Sequence, residues 1–150
     1  MPATWSQFRE GAPALAGFGK ERLEGRIAYL ATTRPDGSPR VHPVSPVITD
    51  AHLFVYMEPT SPKARDLRRD SRYTMHCAVE DNSGGQGEFF VRGQAVEIVD
   101  PAIREEAFDH ARSIGYCPLD RYVLFHLNVI EAMATAYEDD QPKRLRWKSD

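Results

Sequence analysis

Residues 58–67 read Glu58-Pro59-Thr60-Ser61-Pro62-Lys63-Ala64-Arg65-Asp66-Leu67, and this stretch joins two kinds of structure. An apolar β-type run, Leu53 to Met57, leads into it. A short helix, Pro62 to Asp70, leaves it, with Leu67 as apolar anchor. Ser61 stands where a helix N-cap belongs, and Pro62 at the first helical position, where a missing N–H costs nothing. The amides of Lys63 and Ala64 then lack intrahelical partners and face outward at the positive end of the helix dipole. Lys63 and Arg65 add two cationic groups within one turn. Such spacing predicts a socket for phosphate, and it equally describes a capped surface helix with solvated cations.

Working outward, the flanking segments read as short antiparallel strands. Gly25 opens a strand over 26–33, in which Ile27, Tyr29 and Ala31 alternate with Ala28, Leu30 and Thr32. Pro35-Asp36-Gly37-Ser38 is a turn, because proline presets φ and glycine accepts positive φ. A second strand spans 39–48 and a third 52–57. Beyond the short helix come strands over 72–79 and 88–99, joined by the glycine-rich loop 82–87. That loop is not followed by the helix a dinucleotide fingerprint requires. Pro101 starts a helix to Ser113, with Ile103, Ala107, Phe108 and Ala111 as its apolar stripe. The strand 121–137 changes alternation phase at Val129-Ile130, the mark of a β-bulge, and a last strand covers 144–147. Residues 4–23 form a helical lead interrupted by Gly11 and Pro13. These elements predict a mainly β chain, one domain over 1–150. Its N-terminal lead is 1–23, its closing strand lies within 140–150, and its six or seven strands curl into a barrel.

Composition narrows the function. Apolar residues make up 41% and the net charge is −3, which argues against a general nucleic-acid binder. The least polar long segment, 122–137, carries His126, Asn128 and Glu131 and is too short to span a bilayer. No apolar run resembling a secretion signal appears in residues 1–10, so the expected location is cytoplasmic, with Cys77 and Cys117 as reduced thiols. Neither cysteine belongs to a metal-ligand pattern.

The second strand is unusual. Pro39, Pro43 and Pro46 cannot donate to a ladder, so it is an edge, a bulge, or a place where a ligand meets the backbone around Val44 and Ser45. The five histidines do not cluster in sequence, and no nucleophile elbow, Walker loop or Ser/His/Asp set occurs. Acid–base hydrolysis has no support here.

In order, strand 26–33, the Pro-Asp-Gly turn, the proline-rich strand 39–48, strand 52–57, the helix opened by Ser61-Pro62-Lys63 and strand 72–79 resemble the pyridoxamine 5′-phosphate oxidase-like family. The resemblance covers about residues 24–100, and Arg144-Leu145-Arg146-Trp147-Lys148 looks like that family's closing strand. It implies a six-stranded antiparallel split barrel of the FMN-binding type, a homodimer with the flavin between subunits. Ser61, Lys63 and Arg65 would hold the flavin phosphate. Val44 and Ser45 would line the isoalloxazine, flanked by Thr32 and Met57, and Arg146 and Trp147 would close the site from the partner chain. Asp66 stands where the family often carries Asn, so its carboxylate must turn away from a phosphate. The implied cofactor is FMN. The alternatives are a deazaflavin coenzyme, its charged tail on Arg68, Arg69 and Arg72, or haem with His42, His76 or His126 as axial ligand. The expected activity is flavin-dependent oxidoreduction of a small conjugated molecule, without nucleic-acid or membrane partners. Non-catalytic alternatives are a flavin- or haem-binding dimeric module and a barrel that has lost its ligand and serves as a dimeric interaction protein.

Overall fold

In the computed structural model, which describes residues 1–150, two helices lead into a single curled sheet. Helix α1 (Trp5–Gly11) is opened by a capping box between Thr4 and Gln7, and α2 (Pro13–Leu23) starts on its proline. The strands follow as β1 (Ala28–Thr33), β2 (Pro39–Val44), β3 (Val47–Ile48), β4 (Leu53–Met57), β5 (Arg72–Cys77), β6 (Glu88–Ile98), β7 (Val123–Leu127), β8 (Glu131–Glu138) and β9 (Gln141–Lys148). Helix α3 (Pro62–Arg69) lies between β4 and β5, and α4 (Pro101–Ser113) between β6 and β7.

All strand pairings are antiparallel, in the order β2-β1-β5-β6-β7-β4-β3, with the β8–β9 hairpin attached to β6. The two ends of this order, β2 and β3, are consecutive in the chain, separated only by Ser45 and Pro46. The sheet therefore curls until its edges meet at a covalent seam. Nine strand segments appear where six or seven were expected, because two predicted strands divide. The run 39–48 breaks at Ser45-Pro46, pairing with β1 before the break and β4 after it. The run 121–137 breaks at 128–130 into β7 and β8.

The second break is the expected bulge. Leu127 pairs with Ala95 and Glu131 with Arg92, so residues 128–130 face only Gly93 and Gln94. One residue is extra, and Val129 turns aside to bridge Ala3. Gly93 is required here by space, since a Cβ would stand 2.0 Å from the Asn128 carbonyl oxygen.

Alternation places the core. Leu30, Val55, Met75, Phe89, Val91, Phe125 and Leu127 fill the inside of the curl, and Trp5, Phe8, Leu15 and Leu23 from the N-terminal helices plug it. Strand β4 is buried at every position because both faces are covered. Its Phe54 and Tyr56 join Val47 and Leu124 in a second cluster under Ala107 and Ala111 of α4. Ile103 and Phe108, expected in that stripe, are only half-buried. No helix is long and apolar enough to cross a membrane.

Candidate functional site

Helix α3 begins as its sequence dictates. Ser61 Oγ accepts from the Ala64 amide (3.3 Å) and donates to the Glu58 carbonyl (2.7 Å), and Pro62 occupies the first turn. The cap thus consumes the Ala64 N–H, one of the two amides expected to be free. The Lys63 amide keeps no backbone acceptor.

Lys63 turns into a cleft of about 210 Å³, whose lining also includes Val44, Ser45, Met57, Tyr116 and Tyr122. Four of the nine expected site residues, Val44, Ser45, Met57 and Lys63, therefore meet at one place, beside the β2–β3 seam. The Lys63 ammonium has no carboxylate partner, and burial draws its pKa below the ordinary lysine value. Glu58, also on the lining, is paired with Arg121 through both carboxylate oxygens, which neutralises the acid at the rim.

Asp66 does turn away. Its side chain is buried and accepts from Thr32 Oγ1 (2.8 Å), Arg40 Nε (2.7 Å) and Arg69 Nη2 (3.0 Å). Burial alone would raise its pKa, but hydrogen bonds from Arg40, Thr32 and Arg69 outweigh it and hold the carboxyl below its usual range. His42 lies near this group. Burial, then the charges of Lys63 and Arg40, lower its pKa, and its Nε2 has no hydrogen-bond partner.

The other expected residues lie elsewhere. Arg65 is exposed and outside the cleft lining, since positions two apart on a helix diverge by about 200°. Thr32 is engaged by Asp66 and lines a separate cleft of about 490 Å³ with Arg72, Arg92 and Gln94. Arg146 binds Glu131 (3.2 Å), which also holds Arg92. Trp147 packs on Phe8 of its own chain, ring centroids 5.1 Å apart. Arg68, Arg69 and Arg72 are all in ion pairs, with Glu97, Asp66 and Asp70.

Of the three histidines considered as haem ligands, only His42 is near Lys63. His126 is buried with Nε2 unpartnered, edge-on to His52 at 4.6 Å, and burial lowers its pKa to about 4. His76 is raised to about 9, chiefly by its interaction with the Cys77 side chain. Both cysteines are free thiols. Sequence reasoning missed Arg40, Tyr56, Tyr116 and Tyr122. The one available signal was that Arg40 shares strand parity with His42 and Val44.

Comparisons with known proteins agree with this architecture. No curated protein sequence matches the chain. Among solved structures, PhzG from Burkholderia lata 383, determined with tetrahydrophenazine-1-carboxylic acid, is 19% identical with a TM-score of 0.67, covering 96% of this chain and 87% of its own. Rv2991 from Mycobacterium tuberculosis, a conserved hypothetical protein, is 18% identical with a TM-score of 0.63, covering 82% and 77%. HutZ from Vibrio cholerae, a heme storage protein, is 18% identical with a TM-score of 0.59, covering 91% and 93%. At such identities the likeness is one of fold. The family model described as pyridoxamine 5′-phosphate oxidase matches residues 20–139, from the end of α2 through the β8–β9 turn, and so takes in the seam, the Lys63 cleft and the bulge. With most of its length matched and its curled antiparallel sheet shared with these structures, the chain belongs to the pyridoxamine 5′-phosphate oxidase family.

Proposed function

We propose that this chain is a homodimeric flavin-dependent oxidoreductase acting on a small conjugated molecule, with its cofactor phosphate at Lys63. The observation that carries the reading is the half-buried Lys63 ammonium, which lines a cleft and has no carboxylate partner. A charge drawn out of water without a counter-ion is costly, and an anionic ligand removes the cost. The residues fit a flavin phosphate. Lys63 supplies the charge, and its own amide is a second donor at the helix start. Val44 and Met57 offer an apolar wall for a flat ring, and Asp66 is neutralised by its arginines.

When bound, the flavin supplies hydride transfer. The chain's own residues position it and shield the wall behind Val44 and Met57 from water. FMN is favoured over a deazaflavin coenzyme, because the three arginines suited to a longer charged tail are already held by acids. Dimerisation is supported by apolar side chains exposed on β1 and β2, Tyr29 and Val41, which a second copy would cover. A second reading, a non-catalytic haem-binding module, is favoured by the unpartnered Nε2 of His42.

The test is an FMN titration of the purified protein, followed by visible absorbance. Binding is expected with Kd below about 100 μM. Lys63→Ala should weaken it by about 1.5–3 kcal/mol, roughly 10- to 150-fold in Kd. Unchanged affinity in that variant removes Lys63 from the site. Failure to bind FMN, with a Soret band appearing on haem addition and lost in His42→Ala, favours the second reading.

A further inference from the structure

A second chamber of about 280 Å³ lies beside the Lys63 cleft, sharing Ser45 and Tyr116 with it. Its walls are of different character. Pro46, Ile27, Ile114 and the Tyr116 ring supply apolar surface, and the one charged group on the lining is Arg26. That guanidinium is already occupied, with Nη1 donating to Glu80 Oε1 at 3.0 Å. The contrast with the first chamber is sharp. Lys63 there is unpaired, whereas here no cation is free and no carboxylate lines the wall. An anion placed there gains no unpaired counter-charge, while a neutral ring covers the apolar walls.

We infer that the second chamber seats the reaction partner of the cofactor, and that this partner is an uncharged, flat, conjugated molecule rather than a phosphorylated or carboxylated one. The inference rests on the cofactor reading of the Lys63 cleft. Tyr116, half-buried between the chambers and edge-on to Tyr56 at 6.0 Å, is the wall both molecules share. A partner lying against Ser45 is thereby adjacent to the ring that Val44 and Met57 support. Glu80 is part of the selectivity although it does not line the chamber, since it holds the only charge that an anionic partner would seek.

Equilibrium dialysis of the FMN-saturated protein tests this with two probes of one ring system, neutral 2-naphthol and its dianionic counterpart 2-naphthyl phosphate. The FMN Kd is measured separately for every variant, so loss of the cofactor site is seen as such and counts against the parent reading. With FMN bound, 2-naphthol should bind at least tenfold more tightly than 2-naphthyl phosphate. Ile114→Trp, which fills the chamber, should abolish 2-naphthol binding while the FMN Kd stays within twofold. Glu80→Gln breaks only an exposed ion pair, so the fold is kept. By releasing Arg26, it should tighten 2-naphthyl phosphate binding at least threefold. Equal or tighter binding of the phosphate by the unmodified protein overturns the inference. So does 2-naphthol binding indifferent to Ile114→Trp, or an FMN-loaded Glu80→Gln protein with unchanged preference.

Discussion

Acid should loosen this protein through His126 before it reaches the carboxylates. His126 sits on β7 directly across from Phe54 of β4, its Nε2 sealed from water and unpartnered. Burial first, and the charge of His52 second, lower its pKa from 6.5 to about 4. Because the folded value is depressed, the unfolded chain binds more protons between those limits. The neutral imidazole contributes fully above pH 6.5, and its contribution is lost as pH falls toward 4. At about 1.4 kcal/mol per pH unit the gap is worth about 3 kcal/mol, of which about 2 kcal/mol disappears between pH 7.5 and 5.0. Asp66 and Glu131 are also depressed, but their ordinary values of 3.8 and 4.5 put their losses mainly below this window. His76 works in the opposite sense. Raised to about 9, it stabilises fully below pH 6.5 and loses that contribution as pH rises toward 9. The parent profile therefore mixes signs, and the comparison with His126→Phe isolates one residue. Urea unfolding at pH 7.5, 6.0 and 5.0 should show the variant gaining about 2 kcal/mol relative to the parent across that range. A parent–variant difference that stays constant with pH refutes the assignment.

Two further substitutions probe the elements that frame the site. Asp66→Ala strands the half-buried Arg40 guanidinium, frees the exposed Arg69, and should cost about 3 kcal/mol, with Asp66→Asn intermediate because it still accepts from Thr32; chemical unfolding reads this, and equal stability of all three proteins contradicts the charge hub. Gly93→Ala drives a methyl into the Asn128 carbonyl at the bulge and should cost about 3 kcal/mol. This lowers Tm by roughly 6–12 °C in calorimetry, and a melting point within a degree of the parent means the bulge has no such contact.

Local chemistry was legible in the sequence, and distant pairing was not. Ser61 and Pro62 announced the start of α3, and the alternation phase at Val129-Ile130 announced the bulge, because each is written in adjacent residues. The prolines of the second strand left three readings, an edge, a bulge or a ligand wall. The edge is what the fold shows, since β2 pairs only with β1, and Val44 and Ser45 line the cleft beside it. Lys63 and Arg65 were grouped by proximity along the chain, although helical geometry already set them on different sides. The Arg40–Asp66 pair spans 26 positions and no local pattern encodes it. Tyr116 and Tyr122 sit outside regular strands and helices, where periodicity carries no information about which cavity a side chain enters. The β8–β9 turn places Asp139 and Asp140 at φ of 52° and 60°, a conformation their sequence, lacking glycine, did not advertise.

The seam between β2 and β3 has a mechanical consequence. Elsewhere around the curl, neighbouring strands are zipped by amide-to-carbonyl rungs, but at Ser45-Pro46 continuity is maintained by the peptide chain itself, and proline has no rung to offer. Such a join has no rungs of its own to resist opening. Both chambers adjoin that line through Ser45, so any occupant bridging from Lys63 to Tyr116 would splint it. Saturation with cofactor should accordingly slow amide exchange around residues 44–48 more than in β5 or β6, where the rungs are already complete.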